Sequence, residues 1–157
     1  MSAAISIRRV YKDGAVALAA LHGSCFSEPW SSASFESLME SSNTFALAAI
    51  GDAKPRTFEA FIVARVAADE AEILTLGTAP ARRRNGLARA LVLAAAAEAH
   101  GAGASKIFLE VASDNAAAAA LYSSIGFSGV GGRPRYYRDK TNAMDAMIMR
   151  ARLPLTH

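Results

Sequence analysis

The stretch Arg83-Arg84-Asn85-Gly86-Leu87-Ala88 marks the point where strand-like segments give way to a helical period. Upstream, residues 44–50, 57–66 and 70–78 are strand-like, and Gly51-Asp52-Ala53-Lys54-Pro55 and Ala67-Ala68-Asp69 supply turn chemistry between them. Pro80 stops the last of these strands. Downstream, Leu87, Ala90, Leu91, Ala94, Ala95 and Glu98 follow the i, i+3, i+4, i+7 spacing of a helix face, and Gly101 and Gly103 close it. A helix that starts immediately after a glycine presents unpaired N–H groups and a positive dipole end, which suits an anion such as phosphate. No Gly-Lys-Ser/Thr follows, so the stretch is not a Walker loop, and the three-glycine spacing of a dinucleotide fingerprint is missing.

Working outward, residues 5–10 alternate apolar and polar as a half-buried strand does. Asp13 is expected to cap a helix carrying Val16, Leu18, Leu21 and Phe26. Glu28-Pro29-Trp30-Ser31-Ser32 breaks the chain and restarts it, and a serine cap here opens a short helix with Phe35, Leu38 and Met39 on one face. After the central helix, residues 106–111 form a strand with Glu110 embedded in it. Asn115 begins an alanine-rich helix reaching Leu121-Tyr122. Ile125-Gly126-Phe127 leads into another strand, and residues 143–152 alternate enough to be the last one. This order predicts an α+β (mixed α/β) domain with a largely antiparallel sheet, in which residues 70–111 make a right-handed parallel crossover.

Composition agrees with one domain over residues 1–157, since 157 residues and 52% hydrophobic content support a single core. Alanine accounts for 36 residues, so the core depends on close helix approach and a compact sheet. Disorder is excluded, because low hydrophobicity and high net charge are both absent. The longest alanine-rich run, 88–99, carries Arg89 and Glu98, so no uncharged apolar span is present. The opening residues lack a signal-peptide core, which makes a cytoplasmic address the expectation and a membrane partner unexpected. Cys25 has no second cysteine to pair with, and sits in an apolar stretch that suits an inert buried thiol. No Cys/His cluster has metal-ligand spacing, so no metal is expected.

The net charge is only +3, but 13 of the 17 basic residues are arginine. Arg82, Arg83, Arg84 and Arg89 form one cluster, and Arg133, Arg135 and Arg138 another. Such clusters suit phosphorylated ligands, an acidic protein surface or plain solvation. No aromatic-interleaved basic stripe points to nucleic acid, which is not expected as a partner.

Arg-x-x-Gly-x-Ala between a strand and a helix resembles the acyl-CoA pyrophosphate loop of the GNAT N-acetyltransferases. The later string is similar to the same family: Leu109-Glu110-Val111, Asn115 with five alanines, Leu121-Tyr122 and Gly126-Phe127. The RimI-type branch, which acetylates ribosomal-protein N-terminal alanine, is the nearest likeness. Pro29-Trp30-Ser31, Tyr136-Tyr137 and Asp145-Ala146-Met147-Ile148-Met149 fit it as well. The resemblance covers roughly residues 5–152 and is strongest over 74–127.

The resemblance implies a single GNAT domain, with a strand–helix–strand core that binds acetyl-CoA as co-substrate. It places the pantetheine arm against Leu76, Gly77 and Thr78, and the pyrophosphate on Arg83, Arg84, Asn85, Gly86, Leu87, Ala88 and Arg89. Gly77 has its own physical signal, since a glycine within a strand marks a bulge or a close approach. Read alone, Glu110 is an outward-facing carboxylate; by resemblance it is the general base. An α-amine with pKa near 8 is about nine-tenths protonated at pH 7 and must lose that proton before attack. Read alone, Tyr122 is a core aromatic; by resemblance it is the acid that protonates the departing thiolate. Asn115 caps its helix, and the resemblance adds a bond to acetyl-CoA. Trp30 is either a core plug or, with Tyr136 and Tyr137, a border of the acceptor entrance.

Two positions depart from the RimI-type pattern: Ala112 stands where arginine is frequent, and Asp114 where serine is common. The implied reaction is direct acetyl transfer to the N-terminal alanine of a ribosomal protein. The alternatives are another protein N-terminus, a lysine or a small-molecule amine. From a different class, a non-catalytic CoA-sensing or nucleic-acid-binding module would need the loop but neither Glu110 nor Tyr122.

Overall fold

The computed structural model describes residues 5–51, 57–133 and 146–155. Along the chain these form β1 (Ile5–Val10), α1 (Ala15–Cys25), α2 (Ser32–Met39), β2 (Thr44–Gly51), β3 (Phe58–Ala67) and β4 (Glu70–Thr78). They continue with α3 (Leu87–Gly101), β5 (Lys106–Ala112), α4 (Ala116–Ile125), β6 (Ser128–Arg133) and β7 (Ala146–Arg152). The strands make one seven-stranded sheet in the order β1-β2-β3-β4-β5-β7-β6. The element order and the mixed, mostly antiparallel sheet match the sequence expectation. By contacts the chain divides into two compact units, Met1–Arg65 with Leu74–Ala95, and Val66–Ile73 with Ala96–His157.

In the first unit, β2 pairs antiparallel with β1 (Val10↔Ala46) and with β3 (Thr44↔Arg65). Most of β2 is buried without alternation, as expected for a strand flanked on both sides. Ala46, Ala48 and Ala49 are at most 1% exposed, small side chains that keep the sheet tightly covered. Leu18, Leu21 and Phe35 of α1 and α2 pack with Phe61 and Val63 of β3. Ser31 caps α2 as expected, its Oγ accepting the Ser34 N–H at 3.1 Å. Asp13 does not cap α1. Instead the chain enters through a 3-10 turn over Lys12–Gly14, with the Gly14 N–H donated to the Tyr11 carbonyl. Gly14 sits at the cap itself, where a Cβ would come within 2.5 Å of Val10 Cγ1. Val16 and Phe26 are exposed, so the buried face of α1 is narrower than its hydrophobic spacing suggested.

In the second unit, the start of β4 runs parallel to β5 through Glu70↔Lys106, Ala71↔Ile107 and Glu72↔Phe108. β7 pairs antiparallel with both β5 and β6, with an irregularity between Gly129 and Gly131. β5 alternates cleanly: Ile107, Leu109 and Val111 are buried, while Lys106, Phe108 and Glu110 face the other way. Ser105 ties the base of β5 to the turn between β3 and β4, donating to Asp69, and its carbonyl accepts the Leu153 N–H. Gly126 ends α4 with φ +119, a left-handed terminus that glycine adopts at little cost. Ala116, Ala117 and Ala120 of α4 are exposed, so this alanine run lengthens a helix more than it fills a core.

Candidate active site

The loop after β4 is built from the inside. A Cβ at Gly77 would lie 2.8 Å from Phe61 Cε1 and 3.1 Å from Cys25 Sγ. The close approach foreseen for Gly77 is therefore to the protein's own ring and thiol. At the next residue, the Thr78 carbonyl accepts from Cys25 Sγ at 3.3 Å and from Arg83 Nε at 3.2 Å. Ala79 donates its N–H to the Glu59 carbonyl at 2.8 Å. A 3-10 turn over Pro80–Arg82 follows, in which the Arg82 N–H bonds the Ala79 carbonyl. Arg82 Nε pairs with Glu59 Oε1, and Asn85 Nδ2 donates to the Arg82 carbonyl at 3.1 Å.

Arg84 then takes φ +68 and Gly86 φ +77. A left-handed arginine is uncommon and marks a tightly determined turn. No heavy atom lies within 4 Å of a Cβ built at Gly86, so its glycine serves the backbone angle and leaves the space beside it open. Leu87 is buried and anchors the first turn of α3, while Ala88 and Arg89 are half-buried. The outcome is an exposed turn at a helix start carrying Arg84, and it suits a polyanion such as a pyrophosphate.

In the second unit, Glu110 is half-buried on β5 opposite Ile148, and its Oε2 is shielded from solvent. Asn115 caps α4, its Oδ1 accepting the Ala118 N–H at 3.1 Å. Tyr122 packs edge-on against Phe127 at 5.9 Å between ring centres, and its carbonyl accepts the Phe127 N–H. Burial pushes the Tyr122 phenol up to about 12. The phenol therefore stays protonated throughout the neutral range and gives up its proton less readily than an exposed tyrosine.

Trp30 lies in the first unit and is half-buried in an aromatic cluster. It stacks on His22 at 5.1 Å and tilts against Phe35 at 5.4 Å. Its backbone N–H donates to His22 Nδ1 at 3.1 Å. Burial holds the His22 imidazole below its ordinary 6.5. Tyr136, Tyr137, Arg135 and Arg138 lie outside the described residues. Leu76 through Arg89 thus fall together on one continuous segment, and Glu110, Asn115 and Tyr122 together in the second unit.

Sequence reasoning passed over Glu59, which is 5% exposed. Its signal was available: a carboxylate inside the apolar run Phe58-Glu59-Ala60-Phe61-Ile62 needs a partner. Among the described residues no group of three or more His, Cys, Asp or Glu could hold a metal ion. No described helix is long and apolar enough to cross a membrane.

The chain is 39% identical over 90 residues to the [ribosomal protein bS18]-alanine N-acetyltransferase of Escherichia coli K12. That stretch is 57% of this chain and 61% of the relative, so the chain spans about three-fifths of the curated relative it matches. It is also 43% identical over 81 residues to the N-alpha-acetyltransferase RimI of Mycobacterium tuberculosis, covering 52% of this chain and 48% of that protein. Its fold is similar to the crystal structure of the Escherichia coli ribosomal-protein-S18-alanine N-acetyltransferase. There the TM-score is 0.86 at 28% identity, over 98% of this chain and 97% of the other. The family model for GNAT acetyltransferases matches residues 15–127, most of the chain and all of the elements from α1 through α4. The chain belongs to the GNAT acetyltransferase family.

Proposed function

We propose that this protein is a single-domain, cytoplasmic N-acetyltransferase that moves acetyl from acetyl-CoA directly to the N-terminal alanine of a ribosomal protein. The observation that carries the reading is Glu110, a carboxylate set into a strand with one oxygen shielded from solvent. It stands at the position that the RimI-type likeness gives to the base. The acceptor assignment is supported by relatives whose names specify ribosomal-protein alanine.

Acetyl-CoA supplies the thioester carbonyl. The backbone of Leu76, Gly77 and Thr78 offers hydrogen bonds to the pantetheine arm, as a strand edge does for an added strand. The Thr78 carbonyl is already accepting from Cys25 and Arg83, so it is not the group offered for that task. The amides from Arg84 to Arg89, with Asn85 shaping the turn, hold the pyrophosphate at the start of α3. Glu110 takes the proton from the acceptor ammonium, directly or through water. Tyr122 Oη holds a proton for the sulfur that departs. Full transfer from a phenol near 12 to a thiolate near 8.5 runs uphill by about 5 kcal/mol at 1.36 kcal/mol per unit. Hydrogen bonding to sulfur as its charge develops is therefore the larger part of what Tyr122 contributes. Asn115 keeps α4 capped and adds a side-chain amide toward the co-substrate, and the RimI-type likeness assigns Trp30 to the acceptor entrance.

Acetyl-CoA turnover against peptides beginning with Ala, Ser, Met or a blocked residue, alongside a lysine peptide, polyamines and aminoglycosides, tests this reading. The Ala peptide is expected to react fastest and the blocked peptide not at all. Preferred turnover of a polyamine, an aminoglycoside or the blocked lysine-containing peptide contradicts the acceptor.

A further inference from the structure

Beyond the residues named for binding and transfer, the first unit holds a buried carboxylate that neither role uses. Glu59 is 5% exposed, near the start of β3, and two of its groups reach the loop after β4. Its side chain pairs with Arg82, whose own side chain is about half exposed, and its carbonyl accepts the Ala79 N–H at 2.8 Å. Room for that carboxylate is made by Gly51 on the neighbouring strand, because a Cβ there would run into the Glu59 side chain. The same short segment is fixed at two further points, Thr78 by Cys25 and Arg83, and the Arg82 carbonyl by Asn85. Two members of the arginine cluster are thus turned onto the protein: Arg82 toward Glu59 and Arg83 toward the Thr78 carbonyl.

We infer that Glu59 is a positioning residue: through Arg82 and Ala79 it sets the shape of the anion-binding turn before any ligand arrives. This deepens the acetyl-CoA reading given above and rests on it for its ligand. Arg82 then acts as a brace for the turn and not as a phosphate contact. A turn that holds its left-handed residues in place binds without first ordering them, and that ordering otherwise opposes binding.

The inference runs against simple electrostatics, which makes it testable by sign. Removing a negative charge near an anion site, with the shape unchanged, tightens anion binding. If Glu59 shapes the turn, removing its charge weakens binding instead. Calorimetry on the full chain with Glu59→Gln is expected to show acetyl-CoA affinity at least tenfold weaker. kcat at saturating acetyl-CoA stays within twofold, and binding of S-acetylpantetheine, which lacks the pyrophosphate, is unchanged. Arg82→Gln gives the same loss and tests the pair even if Glu59→Gln fails to fold. Arg82→Lys restores affinity to within about threefold, and the double Gln variant is no worse than either single one. Hydrogen exchange of the ligand-free variants is faster at residues 79–88, with the core strands unaffected. Equal or tighter acetyl-CoA binding by Glu59→Gln, additive losses in the double variant, or equal loss of S-acetylpantetheine overturns the inference. If the unsubstituted protein fails to bind acetyl-CoA, the proposed function falls. The positioning role is then decided by exchange at 79–88: faster in the variants upholds it, unchanged overturns it.

Discussion

His22 shows how much one buried side chain can hold. Its ring stacks with Phe26 at 4.3 Å and with Trp30 at 5.1 Å, and Nδ1 accepts the Trp30 backbone N–H. Burial strips water from the charged imidazolium and so lowers the pKa, and protonating Nδ1 also removes that acceptor. The sign of the linkage follows. With the folded value below the unfolded one, the neutral form favours folding; that stability is fully present above about pH 6.5 and is lost as pH falls through the folded value. Tm is expected to drop more steeply between pH 6.5 and 5 in the native sequence than in His22→Gln, and parallel curves would contradict this. At Gly77 the cost is steric: Gly77→Ala drives a methyl against the buried Phe61 ring and the Cys25 thiol. It is expected to destabilise by about 1–3 kcal/mol in denaturant titration. The run around Glu59 shows a carboxylate in need of a partner, but that the partner is Arg82 is set by the fold, because the two lie far apart along the chain.

At the scale of elements, legibility followed local signals. Glu70–Thr78 was read with its observed bounds, since a turn precedes it and Pro80 follows. Ser31 and Asn115 were read correctly as caps, because a short acceptor side chain before a helical run acts within three residues. Asp13 was misread because the 3-10 turn before α1 leaves Gly14 at the cap, which depends on packing against Val10 and not on side-chain chemistry. The alanines of α4 left its buried face undetermined, as alanine carries no periodic signal of its own. Asn115 has two assigned roles that one substitution separates. Asn115→Asp retains the capping oxygen, so Tm should hold to within a degree or two, while acetyl-CoA affinity falls several-fold because the side-chain amide donor is gone. A loss of Tm comparable to Asn115→Ala, about 1 kcal/mol for a missing cap, would contradict the capping account.

For the whole molecule, the net charge of +3 concealed a division of labour among the arginines. The cluster at 82–84 looked uniform as sequence, yet Arg82 and Arg83 face their own chain while Arg84 occupies the left-handed turn. The family, the element order and the loop were legible because glycine, proline and helix-start signals are local, whereas the placing of β7 between β5 and β6 carries no local signal. The bracing of the loop was not, since Glu59, Cys25 and Arg82 are brought together only by the fold. The proposed chemistry also has a pH signature. With the Tyr122 phenol near 12, the rate should climb as the acceptor amine deprotonates and show no fall from this residue up to pH 10. A descending limb between pH 8 and 10 that vanishes in Tyr122→Phe would contradict that.

The central claim, that Glu110 removes the acceptor's proton before direct transfer, is tested most directly by kcat/KM of Glu110→Gln with an alanine-initiated peptide at pH 7, measured together with acetyl-CoA affinity. A general base typically contributes 10²–10⁴-fold, so a fall of roughly a hundredfold or more is expected. Affinity should stay within about threefold, and the deficit should shrink toward pH 9 as the amine loses its proton unaided. An undiminished rate at pH 7 would contradict the claim.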